Sequence, residues 1–264
     1  MFYPYFSPIP SQDFLNKKMK KHNNSFLFAS CVVMGSLLLT WAAAVRADER
    51  PFLETHPAMV EDDDERNFEF STWFVKLKKE QSLQTSLEYN FNPTLSSELQ
   101  LGWAKNKEDG SRERNIEWSL RKIWIDPARD GWGLGSLVGL GWSRTDERGW
   151  KYESLRALMT YSLPLLEKQI WLHANVGVQR EQDERKTYGI WSLAAQGRVR
   201  KDITLFTEYA HQVQKNKVAQ GGVRWWAKKD KVALDFAVGK QKPHDADRQN
   251  FIHVGLSFYD LDYK

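Results

Sequence analysis

From Phe68 onward the chain alternates apolar and polar residues in segments of about ten, separated by polar, turn-forming residues. Side chains on a strand point to opposite faces with a period of two, so each segment predicts a strand with one apolar and one polar face. Trp73, Val75 and Leu77 form the first apolar face; Leu83, Thr85, Leu87, Tyr89 and Phe91 the second; Leu99, Leu101 and Trp103 the third. The pattern continues through Ile116–Trp124, Leu134–Trp142, Leu155–Leu163, Ile170–Val178, Trp191–Val199, Ile203–Tyr209, Ala219–Ala227 and Val232–Val238. It ends with Ile252, Val254, Leu256 and Phe258 alternating against His253, Gly255 and Ser257. The count is twelve strands.

The polar faces are heavily charged. They carry Lys76, Glu88, Glu98, Glu117, Arg121, Arg156, His173, Arg198, Glu208, Arg224, Asp235 and His253. No segment after Val45 is apolar for long, so if this part of the chain meets lipid it does so as strands. Only helices and closed barrels satisfy every backbone group in a bilayer. The expected fold is therefore all-β: a closed antiparallel up-and-down transmembrane barrel of about twelve strands, its charged faces turned to the lumen. A charge facing lipid mid-membrane would cost roughly 2–4 kcal/mol. Threaded so that strand one runs outward, the turns after the even-numbered strands are short, while stretches such as Lys105–Arg114, Arg180–Lys186 and Gln241–Gln249 predict longer charged loops outside. Trp and Tyr favour the two membrane interfaces. The threading puts Trp73, Tyr89, Trp124 and Trp225 at one end and Trp103, Trp142, Trp191 and Tyr209 at the other. The competing reading is a soluble β-sandwich or lipocalin-like barrel, whose aromatics would not sort by depth.

The N-terminal region changes the charge picture. Lys17, Lys18, Lys20 and Lys21 precede an apolar run from Ser25 to Val45, and Val45-Arg46-Ala47 offers a small-residue cleavage site. This is the pattern of a secretory signal peptide over 1–47, with Met19 as an alternative start and an uncleaved membrane anchor as the other reading. Those residues hold five of the 38 Lys and Arg and one of the 34 Asp and Glu, so 33 of each remain and the exported part is formally neutral. No electrostatic footprint for nucleic acid survives. The lone Cys31 lies within the apolar run, so the exported chain has no thiol chemistry. Residues 48–67 contain Pro51, Pro57 and the acidic run Glu61–Glu65 without any period, which predicts a mobile periplasmic tail, or alternatively a plug folded into the barrel. The barrel then spans 68–264.

His253, Gly255 and Phe258 are spaced as in the C-terminal signal of bacterial outer-membrane β-barrels, which the last strand resembles. The signal's usual final hydrophobic position holds Asp260, and Leu261–Lys264 follow. The resemblance implies a porin-like barrel in the outer membrane, both termini in the periplasm, assembled by the barrel-assembly machinery amid outer-membrane lipid and lipopolysaccharide. Barrels of about eight strands are filled by side chains and those of 16–18 leave a channel, so twelve strands allow a narrow pore. Arg121, Arg156, Arg198 and Arg224 come from alternate strands and form an arginine wall for an anionic solute, since arginine reads carboxylate and phosphate bidentately. Alternatively Glu98, Glu117, Glu208 and Asp235 neutralise that wall. Small channels for acidic oligosaccharides are similar in length and strand number. Outer-membrane lipid hydrolases are similar in size, but His253 and Ser257 share the inward face, and His211 and His244 have no convincing serine partner. The expectation is a passive channel for small polar or anionic solutes, with no catalysis, metal or cofactor. A structural or surface-interaction barrel is the alternative.

Overall fold

The computed structural model describes residues 52–58, 67–166, 169–244 and 246–261. The expected signal peptide and the acidic run lie outside the described residues. Twelve strands follow one another: β1 (Asn67–Leu77), β2 (Glu80–Asn92), β3 (Leu95–Asn106), β4 (Arg112–Ile125), β5 (Gly133–Thr145), β6 (Lys151–Leu165), β7 (Ile170–Glu181), β8 (Lys186–Arg200), β9 (Ile203–Gln212), β10 (Asn216–Lys228), β11 (Val232–Pro243) and β12 (Gln249–Leu261). A single helical turn, α1 (Pro127–Asp130), sits between β4 and β5. Each strand pairs antiparallel with its sequence neighbour, and β12 closes on β1, so no edge is left open. Strands of 10 to 15 residues are long enough to cross a bilayer when tilted.

The exterior is apolar. Leu83, Leu99, Val138, Met159, Leu193, Phe236 and Ile252, among others, are large hydrophobic side chains left exposed around the barrel. The interior is mainly polar, with Ser, Gln, Asn and charged residues buried on almost every strand. This inversion of a soluble core is the arrangement a lipid-embedded barrel requires.

Three sequence expectations are corrected. β1 is turned the other way: Val75 and Leu77 are 2% and 4% exposed and face inward, while Lys76 is exposed on the outside. Lys76 pairs with Ile252, itself outward, and Val75 with the buried His253. The loops at the end away from the termini are tight, because the strands run on through charged residues; residues 107–111, 182–185 and 244–248 are all that connect three of the hairpins. The longest connection, 126–132, lies instead at the terminal end. Finally, Phe52–Ala58 is inside the barrel and not part of a free tail.

Candidate functional site

The lumen is built around the Phe52–Ala58 segment. None of its residues belongs to a strand, and wall side chains satisfy its backbone instead. The carboxylate of Glu208 on β9 accepts three consecutive N–H groups, from Leu53 at 2.9 Å, Glu54 at 2.8 Å and Thr55 at 2.6 Å. Gln220 on β10 donates to the same carboxylate at 2.7 Å. Asn175 on β7 takes both backbone groups of one residue, accepting from His56 N–H at 2.7 Å and donating to the His56 carbonyl at 2.8 Å. Ser162 on β6 accepts from Ala58 N–H at 2.7 Å.

Apolar contacts complete the seat. Leu53 packs with Val75, Leu77, Ala210, Val218 and Phe251. Phe52 packs with Ala194, Phe206 and Ala237, and its ring lies 5.5 Å from that of His173. The chain passes β5 where there is no side chain: a Cβ on Gly133 would come 2.2 Å from the carbonyl oxygen of Ala58. Gly139 likewise leaves the space that Glu117 occupies, since a Cβ there would lie 2.8 Å from its Oε1. The alternating glycines of β5 are thus clearance for lumen contents.

The arginine wall is present but paired. Arg224, fully buried, makes a two-toothed contact with Asp235 at 2.7 and 2.8 Å and lies over the rings of Trp226 and Tyr259. Arg156 meets Glu117 at 3.5 Å, Arg121 meets Glu88, and Arg198 meets Asp230 at 3.2 Å. Of the acids expected to neutralise the wall, Glu117 and Asp235 do so. Glu208 holds the segment, and Glu98 is buried beside Gln100. His253 is buried near Gln220, its Nδ1 at 3.4 Å from Oε1. Gly255 faces Asp235, and Phe258 lies beside Phe70 on the outside. Of the twelve expected lumen residues, only Lys76 is misplaced.

A cavity bounded by Ser82, Gln84, Glu113 and Asn115 measures about 10 Å³, at the lower limit of room for one water. Several buried polar atoms nevertheless have no hydrogen-bond partner, among them Thr55 Oγ1, Thr160 Oγ1, Trp171 Nε1 and His173 Nε2. Buried polar groups in a permanently dry core are normally satisfied. Ser162 Oγ and His173 Nδ1 are 2.8 Å apart, a contact missed in the sequence because eleven residues separate the pair. At the end away from the termini, Asp183 in the 182–185 turn takes both Lys151 and Arg148. The hydrogen bond from Lys151, reinforced by Arg148, holds its carboxyl below the usual carboxylate range.

No family model matches the chain, and no curated protein does. Solved structures share the fold. A KdgM porin superposes with a TM-score of 0.55 at 8% identity, over 74% of this chain and 99% of that one. A NanC porin gives 0.54 at 8% identity over 72% and 98%. LpxR from Salmonella typhimurium gives 0.50 at 6% identity over 72% and 99%. At these identities the likeness is one of fold: a twelve-stranded closed barrel of the outer-membrane type.

Proposed function

We propose that this chain is a narrow passive channel of the outer membrane for small polar or anionic solutes, closed at rest by its own N-terminal segment. The observation that carries the reading is how Phe52–Ala58 is held. It occupies the lumen of a complete barrel, anchored by side chains of the wall and by no strand pairing. A segment so held can leave without breaking the barrel. The unpartnered polar atoms of Thr160, Trp171 and His173 then face water, which satisfies them. The fold shared with two porins fits a lumen of channel width once emptied. Both barrel ends of the chain face the periplasm in this reading, and β12 presents His253, Gly255 and Phe258 to the assembly machinery.

The paired arginines favour one second reading, a structural barrel with a salt-bridged lumen. The Ser162–His173 contact resembles a nucleophile and its base. Ser162 is, however, fully buried and already accepts the Ala58 N–H, and Phe52 covers the imidazole, so we read the pair as part of the segment's seat. Conductance decides between channel and structural barrel. The exported chain and a form lacking residues 52–58 are refolded and inserted in planar bilayers. Rare openings in the first and steady unitary steps in the second are expected. A folded deletion form that never conducts leaves the structural barrel standing.

A further inference from the structure

The outside of the barrel is asymmetric in charge. At the end away from the termini, the last outward-facing strand positions carry Lys or Arg on strand after strand. Lys105 on β3, Arg112 and Arg114 on β4, and Arg144 on β5 are all exposed. Lys217 on β10 and Lys242 on β11 repeat the pattern on the opposite side of the sheet order. Lys76, turned outward by the orientation of β1, belongs to the same collar, as do Arg180 and Lys240. No Asp or Glu occupies an outward position in these strand ends among the described residues. The corresponding positions at the terminal end are mainly apolar or aromatic, with Phe70, Tyr89, Phe91, Trp124, Leu165 and Trp225; their cations are Lys122, bonded to Thr94, Arg200 opposite Ile203 and Lys228 opposite Val232, none of them facing another cation across the pair.

Register sharpens the observation. Arg114 pairs directly with Arg144, and Lys217 directly with Lys242. Like charges directly opposite on one face of an antiparallel pair repel and destabilise it. No ion pair with a carboxylate relieves any of these four among the described residues. The cations sit beside interfacial aromatics: Trp103 is opposite Arg114, and Lys217 is opposite His211, which touches Trp191. They are therefore at headgroup depth, where Trp and Tyr rings mark the membrane boundary.

We infer that this collar is a docking surface for phosphate groups of the glycolipid in the outer leaflet, each like-charge pair clamping one phosphate. Guanidinium forks match phosphate oxygens two at a time, and an anion between Arg114 and Arg144 turns their repulsion into a bridge. The like-charge pairs and the dense run of cations occupy one leaflet only. Given the orientation proposed above, on which this step rests, that leaflet is the outer one, where the phosphorylated glycolipid lies and phospholipid does not. The inward-facing Arg156 and Arg224 take no part, being paired inside the lumen with Glu117 and Asp235.

The test uses the refolded exported chain in detergent. Its heat-modifiable unfolding midpoint is followed against added bisphosphorylated glycolipid, the same glycolipid stripped of phosphate, and phosphatidylglycerol. The comparison is the variant Arg114→Gln/Arg144→Gln/Lys217→Gln/Lys242→Gln, with Arg114→Lys/Arg144→Lys as a charge-keeping control. The bisphosphorylated form should raise the midpoint of the parent and of the control. The fourfold variant should need a concentration greater by roughly six-hundredfold, since each of the four surface cations near an anionic headgroup contributes a factor of about five. An equal response of the fourfold variant overturns the inference. So does an equal shift from phosphatidylglycerol, which would make the collar a general anionic surface. If the fourfold variant does not fold, Lys217→Gln/Lys242→Gln alone is read by the same criterion. Failure of the channel reading is seen separately, as absence of conductance in the form lacking 52–58, and leaves the lipid response untouched.

Discussion

Truncating Glu208 to Ala removes the acceptor of three backbone N–H groups, those of Leu53, Glu54 and Thr55. Leu53 and Thr55 are almost fully buried, at 2% and 1% exposure, so their donors lose a partner in a place water reaches only if the segment shifts. Hydrogen bonds to a charged group contribute about 1.5–3 kcal/mol each. Water entering the space left by the carboxylate recovers part of this, and half-buried Glu54 recovers most of its share. A net loss of about 3–6 kcal/mol for the seated state follows. At about 1.4 kcal/mol per decade, the ratio of closed to open barrel falls by roughly two to four orders of magnitude. Single-channel recording reads that ratio directly, as the fraction of time open. Glu208→Gln keeps an acceptor but loses the charge, so it should lie between parent and Ala variant. Glu208 also lines the wall, and its loss alters selectivity; the dwell times, not the reversal potential, are the relevant quantity. If Glu208→Ala stays as closed as the parent while deletion of 52–58 opens the channel, the carboxylate is not the anchor.

Other consequences are independent of that charge. Gly133→Val should push the Ala58 carbonyl off β5 and raise open probability without touching Glu208, because even a Cβ would sit 2.2 Å from that oxygen. Arg224→Ala leaves Asp235 buried and unpaired and should cost about 3–5 kcal/mol in urea unfolding, whereas replacing both partners with hydrophobic residues of similar volume should cost far less. Leu77→Ala should destabilise by about 2–4 kcal/mol, while Lys76→Ala changes stability little; the reverse order would restore the sequence-based orientation of β1. Asp183, held below the usual carboxylate range by Lys151 and Arg148, ties the 146–150 and 182–185 connections together. Its contribution is complete above the ordinary aspartate range and disappears as pH falls through its depressed value. Proteolytic nicking of these loops should therefore stay slow at neutral pH and rise only in strong acid, or in high salt, which screens the exposed pair.

The barrel was legible because a closed lipid-facing sheet has to alternate, and eleven strands do so with the polar face inward. β1 misled for a physical reason. Its Val75 and Leu77 face a lumen that is apolar at that place, because Leu53 fills it, so hydrophobicity no longer marked the lipid side. A strand's period yields two faces but not which one looks in. The loops were overestimated because outward positions near the rim, such as Lys105, Arg112 and Arg180, carry charge although they remain in strands. The segment's seat could not be read locally. Phe52–Ala58 has no periodicity, and its partners Ser162, Asn175 and Glu208 stand 104 to 155 residues away. One signal did exist: Leu137, Phe206, Val218, Trp226 and Phe251 all fall on lumen-facing positions, which an open water-filled pore would not favour.

That apolar lining also bears on how closure ends. When the segment leaves, Val75, Leu77, Val218 and Phe251 lose Leu53, and Phe206 loses Phe52, so apolar wall is exposed to water. Fully burying such a side chain is worth about 1.5–3 kcal/mol, and Leu53 and Phe52 each contribute on that scale. The Glu208 anchor adds a comparable amount. Two different kinds of contact thus hold one short segment, and neither dominates. A solute that replaces only the charge-assisted bonds at Glu208 does not recover the apolar contacts, and one that covers only the apolar wall leaves Glu208 without its donors. Opening by a solute therefore favours one with both polar groups and an apolar face, as a sugar ring has. A small inorganic anion should permeate the deletion form without opening the intact one. Flux of chloride and of a neutral or acidic disaccharide through both forms separates these cases, and equal opening of the intact barrel by chloride would contradict the two-contact argument.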